Sequence, residues 1–281
     1  MPELPEVETM RRGIASILGS RIDDVWVPLT RLRPITIEPP IAEFRRKAVG
    51  RRVVDVGRAG KRVLIELDSG ERIVVEPRMT GRLVLSSPPD EEHLRWVVQF
   101  SRFGNRSHRL MFWDSRGLGV VRMATPEEFR RLVSEKLGPD ALQITAEQLR
   151  TRLGTSRRAI KAALLDQSVL AGVGNLYASE VLHRARVHPT VPCCRIRPSQ
   201  WRTIHAALQE ILREAIAMQG STLADGMYGT AQGEPGRFQE RHLVYQRAGQ
   251  VCRQCAKARI VRIVQSQRSS FYCPSCQRRR S

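Results

Sequence analysis

Leu165-Asp166-Gln167-Ser168-Val169-Leu170-Ala171-Gly172-Val173-Gly174-Asn175 decides how the second half of this chain folds. It joins two helical runs, Arg157 to Leu165 and Asn175 to Arg186, through a glycine-rich double turn that sets Asn175 at the N-cap of the second. A helix start carries backbone N–H groups with no partner inside the helix, and an Asn amide beside them suits a phosphate. For an isolated Asn, capping alone would account for the residue. Thr145 with Gln148 starts another helical run and Ser199 to Met218 forms a long one, so this half is helical. Upstream, Thr125-Pro126-Glu127-Glu128 opens a helix as a capping box. Gly138-Pro139 ends it, and residues 138–144 read as a linker.

Toward the carboxyl end, Cys252, Cys255, Cys273 and Cys276 form a C-x2-C-x17-C-x2-C array. In a reducing compartment that spacing reads as a four-thiolate zinc site rather than as disulfides. Short β runs between the pairs give a zinc-held hairpin with Gln267-Arg268-Ser269-Ser270 near its tip, where Arg268 can clamp a phosphate. A zinc ribbon serves equally well as a purely structural or protein-binding module. Cys193 and Cys194 lack such partners and read as ordinary packing or surface residues.

Toward the amino end, β-rich runs occur at Ile22 to Val27, Arg52 to Val56, Val63 to Leu67, Arg72 to Val75, Leu83 to Leu85, Trp96 to Phe100, Leu110 to Trp113 and Val120 to Met123. Turn signals separate them and a short helix near Pro40 to Ala48 interrupts them, which predicts an antiparallel sandwich. The fold class is therefore α+β in two domains: an amino-terminal antiparallel β-sandwich with flanking helices, then a helical domain carrying a zinc hairpin. Gly60-Lys61 falls at a hairpin tip, where lone lysines are usually solvated. Met79 and Leu118, each taken singly, read most simply as core residues. Residues 220–236 are rich in Gly and poor in apolar positions and read as a long mobile loop.

The chain starts Met1-Pro2-Glu3-Leu4-Pro5-Glu6. Leu4, Val7, Met10, Ile14 and Ile17-Leu18 recur at helical spacing up to Gly19, and Pro with early Glu residues is a normal helix start. Removal of Met1, as is usual before a small residue, would leave a secondary amine at Pro2. An α-amino group has a pKa of about 7.7 to 8, so a useful fraction is neutral and nucleophilic near pH 7. Lys plus Arg number 47 against 28 acids, a net charge of +19 over 281 residues, which calls for a polyanionic partner. Aromatic residues make up only 5 %, so backbone contact rather than base stacking should dominate binding. No apolar run is long enough for a membrane span and no signal-peptide pattern appears, which points to a cytoplasmic protein.

The Pro2-to-Glu6 string, the Leu165-to-Asn175 string followed by Tyr177-Ala178-Ser179-Glu180, and the cysteine array stand in one order. In these the chain resembles the formamidopyrimidine-DNA glycosylase and endonuclease VIII family over its whole length, most of all the formamidopyrimidine branch. The resemblance implies a catalytic sandwich domain at 1–137, the linker at 138–144, a helix-two-turns-helix DNA-binding domain at 145–240 and a zinc hairpin at 241–281. It further implies a monomeric bifunctional glycosylase and abasic-site lyase that binds damaged double-stranded DNA between its domains, with one structural Zn2+ and no small-molecule cofactor.

By the family mechanism the Pro2 amine attacks C1′ of the flipped nucleotide, Glu3 handles the sugar ring oxygen, Glu6 supports the site, and Lys61 assists base departure. β,δ-Elimination then follows. Asn175, Tyr177, Lys61 and Arg268 fall at the family's DNA-contacting positions, and Met79, Arg116 and Leu118 at its three wedge positions. Leu118 replaces the usual Phe. Glu76 replaces a usual phosphate-contacting His, so its carboxylate has to turn away, be neutralised by Arg78 or Arg82, or mark altered binding. The segment 221–238 resembles the lesion-capping loop that favours oxidised purines, 8-oxoguanine and formamidopyrimidines. The alternatives are an endonuclease VIII-like enzyme for oxidised pyrimidines and a non-catalytic DNA-binding homologue.

Overall fold

The computed structural model describes residues 1–85, 87–103 and 106–279. The chain divides into two compact units, Met1–Glu135 with Ile216–Gln239, and Lys136–Ala215 with Glu240–Ser281.

In the first unit, helix α1 (Leu4–Gly13) leads into β1 (Ile22–Trp26), β2 (Thr36–Glu38), α2 (Ile41–Ala48), β3 (Val53–Ala59), β4 (Arg62–Leu67) and β5 (Arg72–Glu76). Then come β6 (Arg82–Val84), β7 (Leu94–Phe103), β8 (Arg106–Trp113), β9 (Val120–Ala124) and α3 (Pro126–Leu132). One sheet has the order β1-β7-β8-β6, the other β2-β9-β5-β4-β3. Each of the eight β runs read from the sequence lies on one of these strands. Alternation decides the inner faces: Val63, Ile65 and Leu67 of β4 point inward while their neighbours are half-exposed. Inward residues of both sheets, such as Trp96, Phe100 and Phe112 against Ile65, Val75 and Val121, form one core with Val7, Met10 and Ile14 of α1. The unit is thus a β-sandwich with α1 laid along it.

Three details differ from the sequence reading. The β2 strand pairs in parallel with β9, Ile37 opposite Val121, so the sandwich is not wholly antiparallel. The first helix stops at Gly13 rather than near Gly19, and a 3-10 turn carries Ala15–Ile17. A Cβ on Gly13 would stand 2.7 Å from the Cβ of Ala231, so that glycine lets a distant segment close on the helix end. That distant segment is the third difference. Residues 216–239, expected within the helical domain and partly as a mobile loop, belong to the first unit. Tyr228 and Ala231 enter its core, Leu85 N–H donates to Ala231 O at 2.9 Å, and Gln232 donates to Gly13 O at 3.1 Å. Few apolar residues are needed to anchor a loop when those few reach the core.

The second unit holds α4 (Ala146–Leu153), α5 (Ile160–Leu164), α6 (Asn175–Arg184), α7 (Pro198–Ala217) and the hairpin β10 (Val261–Gln265) with β11 (Arg268–Tyr272). Residues 138–144, read as the linker, fall within the second unit, where Ala141 and Ile144 are buried and Gly138 N–H donates to Gln167 O at 2.9 Å. A Cβ on Gly138 would lie 2.5 Å from Val169 O, so the segment packs beneath the double turn. Among the described residues no helix is long and apolar enough to cross a membrane.

Candidate active site and nucleic-acid contacts

In the first unit the chain start is built into the protein. Pro2, Glu3 and Glu6 are buried, while Met1 is exposed. Glu6 works as a clamp. Its Oε2 accepts the Glu3 N–H at 2.9 Å and its Oε1 accepts the Ser221 N–H at 2.9 Å, tying the terminus to the segment that returns from the second unit. Gly220, at φ +79°, makes room: a Cβ there would sit 2.8 Å from Glu6 Oε1. Below this, Tyr228 donates its hydroxyl to Gln219 O at 2.9 Å, and burial with the nearby Glu6 charge raises its pKa.

Lys61 is half-exposed in the two-residue turn between β3 and β4. Gly60 supplies the positive φ, +57°, that primed hairpin turns need. The hairpin is braced against α1 by a pair that sequence reading missed: Arg58 donates to Gly60 O at 2.9 Å and to Glu8 Oε2 at 3.3 Å. Burial would raise the Glu8 pKa, but hydrogen bonds from Arg11 and Arg12 and the charges of Arg11 and Arg58 hold it down at about 2. Nothing local in the sequence shows that this strand and helix meet.

Met79 and Leu118 are 37 % and 36 % exposed, so neither is a core residue. Arg116 is exposed as well. The loops that present them share one organiser, the fully buried Asp114. Its carboxylate accepts Thr80 Oγ1 at 2.5 Å, Arg116 N–H at 3.2 Å and Gly119 N–H at 2.7 Å, joining the loop of Met79 to that of Arg116 and Leu118. Glu76 is neutralised, as one of its options required, by Arg78 at 3.1 Å, and also by Arg62 at 2.7 Å. Arg82 instead stacks over Trp113, 4.5 Å from the ring centre.

In the second unit, the double turn is pinned by Gln167. Its amide accepts Gly172 N–H at 2.9 Å and donates to Val173 O at 2.8 Å. Gly174 takes the N-cap of α6, so Asn175 is the first helical residue rather than the expected N-cap. Lys161, only 1 % exposed, donates to Asn175 Oδ1 at 2.7 Å, Ser270 Oγ at 2.8 Å and Ser269 O at 2.9 Å. Arg268, Lys161 and Ser270 line a small cavity of about 80 Å³ beside it. Arg268 itself is exposed and begins β11. The hairpin tip is one residue earlier than read, at Ser266-Gln267, both with positive φ. Tyr177, two positions beyond Asn175, is fully buried.

The four array cysteines bring their sulfur atoms within 4.8 Å of one another. Cys252 and Cys276 are 3.9 Å apart and Cys255 and Cys273 3.7 Å. Tetrahedral Zn–S bonds of about 2.3 Å require sulfur separations of about 3.8 Å, so the set fits one zinc ion. His183 Nε2 lies 3.6 Å from Cys252 Sγ in the core. Burial first, then Arg184, Arg186 and Arg247, lower its pKa to about 4. Glu180 on α6 accepts the backbone N–H groups of Leu243, Val244 and Tyr245 at 2.7 to 3.0 Å and docks the approach to the zinc hairpin.

Residues 1–121 match the family described as "Formamidopyrimidine-DNA glycosylase N-terminal domain", residues 137–226 its H2TH domain, and residues 249–279 the "Zinc finger found in FPG and IleRS". The chain is 38 % identical over 279 residues to the formamidopyrimidine-DNA glycosylase of Solibacter usitatus, covering 99 % of this chain and all of that protein. It is 36 % identical to that of Bacillus subtilis, covering 99 % of each. Among solved structures, the MutM (FPG) protein of Thermus thermophilus aligns over 98 % of each chain at 36 % identity and a TM-score of 0.85. A Lactococcus lactis FPG mutant in complex with a Fapy-dG containing DNA aligns at 28 % identity and a TM-score of 0.87, covering 99 % of this chain and all of that one.

Proposed function

The chain belongs to the formamidopyrimidine-DNA glycosylase family, and from this we infer that it is a bifunctional DNA glycosylase and abasic-site lyase of base excision repair that removes oxidised purines. The observation that carries the chemistry is the clamped chain start. Met1 leads outward and Pro2 is buried, so trimming Met1 uncovers the ring nitrogen at the edge of the protein, with Glu3 and Glu6 fixed behind it.

In this reading the Pro2 nitrogen lone pair forms a bond to C1′ and the glycosidic bond breaks, its electrons leaving with the damaged base. Glu3 protonates the ring oxygen as the sugar opens, and the nitrogen with C1′ becomes an iminium. The iminium acidifies the C2′ protons, so loss of one expels the 3′ phosphate, and a further elimination expels the 5′ phosphate. Glu6 holds Glu3 by its backbone, and the Glu8–Arg58 pair holds the hairpin that aims Lys61 at the backbone near the lesion. Met79, Arg116 and Leu118 fill the gap left by the extruded nucleotide. Asn175 and Arg268 bind phosphates, and zinc supplies the rigidity of the hairpin that carries Arg268.

Borohydride reduction in the presence of a duplex containing 8-oxoguanine tests this. A covalent adduct at the amino terminus is expected, weakened for Pro2→Gly, which keeps an α-amine but loses the ring nitrogen, and absent when the terminus carries a tag. An adduct that survives blocking of the terminus would disprove the assignment of the nucleophile.

A further inference from the structure

We propose that an open groove at the carboxyl-terminal end of α6 is a second nucleic-acid contact, one that takes the phosphodiester backbone of DNA away from the lesion. The groove has a volume of about 860 Å³ and is lined by five arginines, Arg186, Arg195, Arg197, Arg278 and Arg279, and by no Asp or Glu. All five are exposed. These five guanidinium groups make no ion pair among the described residues, unlike Arg158 and Arg184 of the same unit, which pair with Asp166 and Glu210. Five like charges gathered round one concavity repel one another, and an anion that enters relieves that repulsion.

Arg186 adds a second, independent observation. It stands in the left-handed region at φ 55°, where helix ends usually place Gly. Its N–H donates to His183 O at 3.0 Å and the next N–H, of Val187, to Leu182 O at 2.9 Å, closing α6 with the backbone pattern that a Gly would adopt unstrained. Arg186 thus carries a guanidinium at the lip of the basic groove in a backbone conformation that disfavours a side chain.

The lining also selects the kind of partner. No Trp, Tyr or Phe lines the groove, so it lacks the aromatic anchors of protein interfaces. Ser199, Gln200 and Ser275 join the arginines, and guanidinium with hydroxyl and amide donors is the set that contacts phosphate oxygens. The ten residues of α6 separate the groove from Asn175 by about 15 Å. It is therefore a different contact from the phosphate site at Asn175 and Arg268, and one that reads no sequence.

Arg186→Gly, Arg195→Gln and Arg197→Gln, combined in one protein, provide the test. Anisotropy titrations with an undamaged duplex between 50 and 200 mM salt should give a slope of log K against log salt that is shallower by about two to three, at about 0.9 per lost phosphate contact. Zinc content and excision from a short lesion duplex should stay unchanged. Arg186→Gly alone relieves backbone strain, so it should melt no lower than the parent and still lose about one unit of slope. An unchanged slope in folded, zinc-replete variants overturns the proposal. So does binding of a poly-glutamate peptide that the triple variant loses while its DNA slope stays the same.

Discussion

The ammonium of Lys161 lies 2.7 Å from Asn175 Oδ1, and this fixes which way the amide faces. An ammonium only donates, so the Asn175 oxygen has to turn toward it and the NH2 group away. The outward end of the side chain is then a donor, which is what a phosphate needs. The same ammonium holds Ser269 and Ser270 on the zinc hairpin, so Asn175 and the strand of Arg268 are set by one buried charge.

Asn175→Asp is accordingly expected to fold well and bind badly. The new carboxylate would pair with Lys161 and present negative charge to the phosphate, lowering affinity for a lesion duplex at least tenfold, about 1.4 kcal/mol or more. Lys161→Met should weaken binding by a similar factor and also destabilise the unit by about 1–3 kcal/mol, since buried acceptors lose their donor. Anisotropy titration and thermal melting separate the two effects.

Much of this was legible in sequence, and what was not has physical reasons. The strands announced themselves by alternation, as in Val63, Ile65 and Leu67, and the zinc site by spacing. Strand β2 is only Thr36-Ile37-Glu38 between prolines, too short to alternate. Lys161 sits in a helical run, where a lysine ordinarily reads as solvated, and only the fold brings β11 over it. Asp114 was visible as a residue of a turn, but not as the acceptor shared by two loops. The anchoring of residues 216–239 rests on Tyr228 and Ala231, which follow no period.

Acid should act through Glu8. Its folded pKa of about 2 lies below the ordinary 4.5, so its contribution to stability is complete above about pH 4.5 and is lost as pH falls toward 2. A shift of this size corresponds to roughly 3 kcal/mol as an order of magnitude. Glu8→Gln should remove most of that at pH 7, flatten the melting temperature against pH between 2 and 4.5, and slow excision by freeing the Lys61 hairpin.

Asp114→Asn should divide the two activities. It disturbs the loops of Met79, Arg116 and Leu118 and leaves the clamped chain start untouched. Base excision from an intact duplex, which needs a nucleotide extruded, should fall about tenfold or more. Strand cleavage at a preformed abasic site should fall less. Single-turnover rates on the two substrates check this, and an equal loss on both would count against a wedge role.

Chelation should release one zinc per chain. The small core of Val244, Ile260 and Phe271 is too slight to stand without the metal, so hairpin order and duplex affinity should vanish together. Near-ultraviolet signals of Trp96 in the sandwich should persist. Zinc titration back to one equivalent should restore binding.

Because residues 216–239 complete the sandwich, the chain leaves the first unit at Glu135 and returns to it eighty residues later. A fragment ending at Glu135 would lack Tyr228, Ala231 and the Ser221 N–H that Glu6 accepts, and would bare apolar surface where they belong. No single cut can therefore yield two autonomous halves, and a nick between residues 136 and 215 would leave the pieces interlocked. Dissecting the enzyme calls for a circularly permuted or internally deleted chain rather than a truncation.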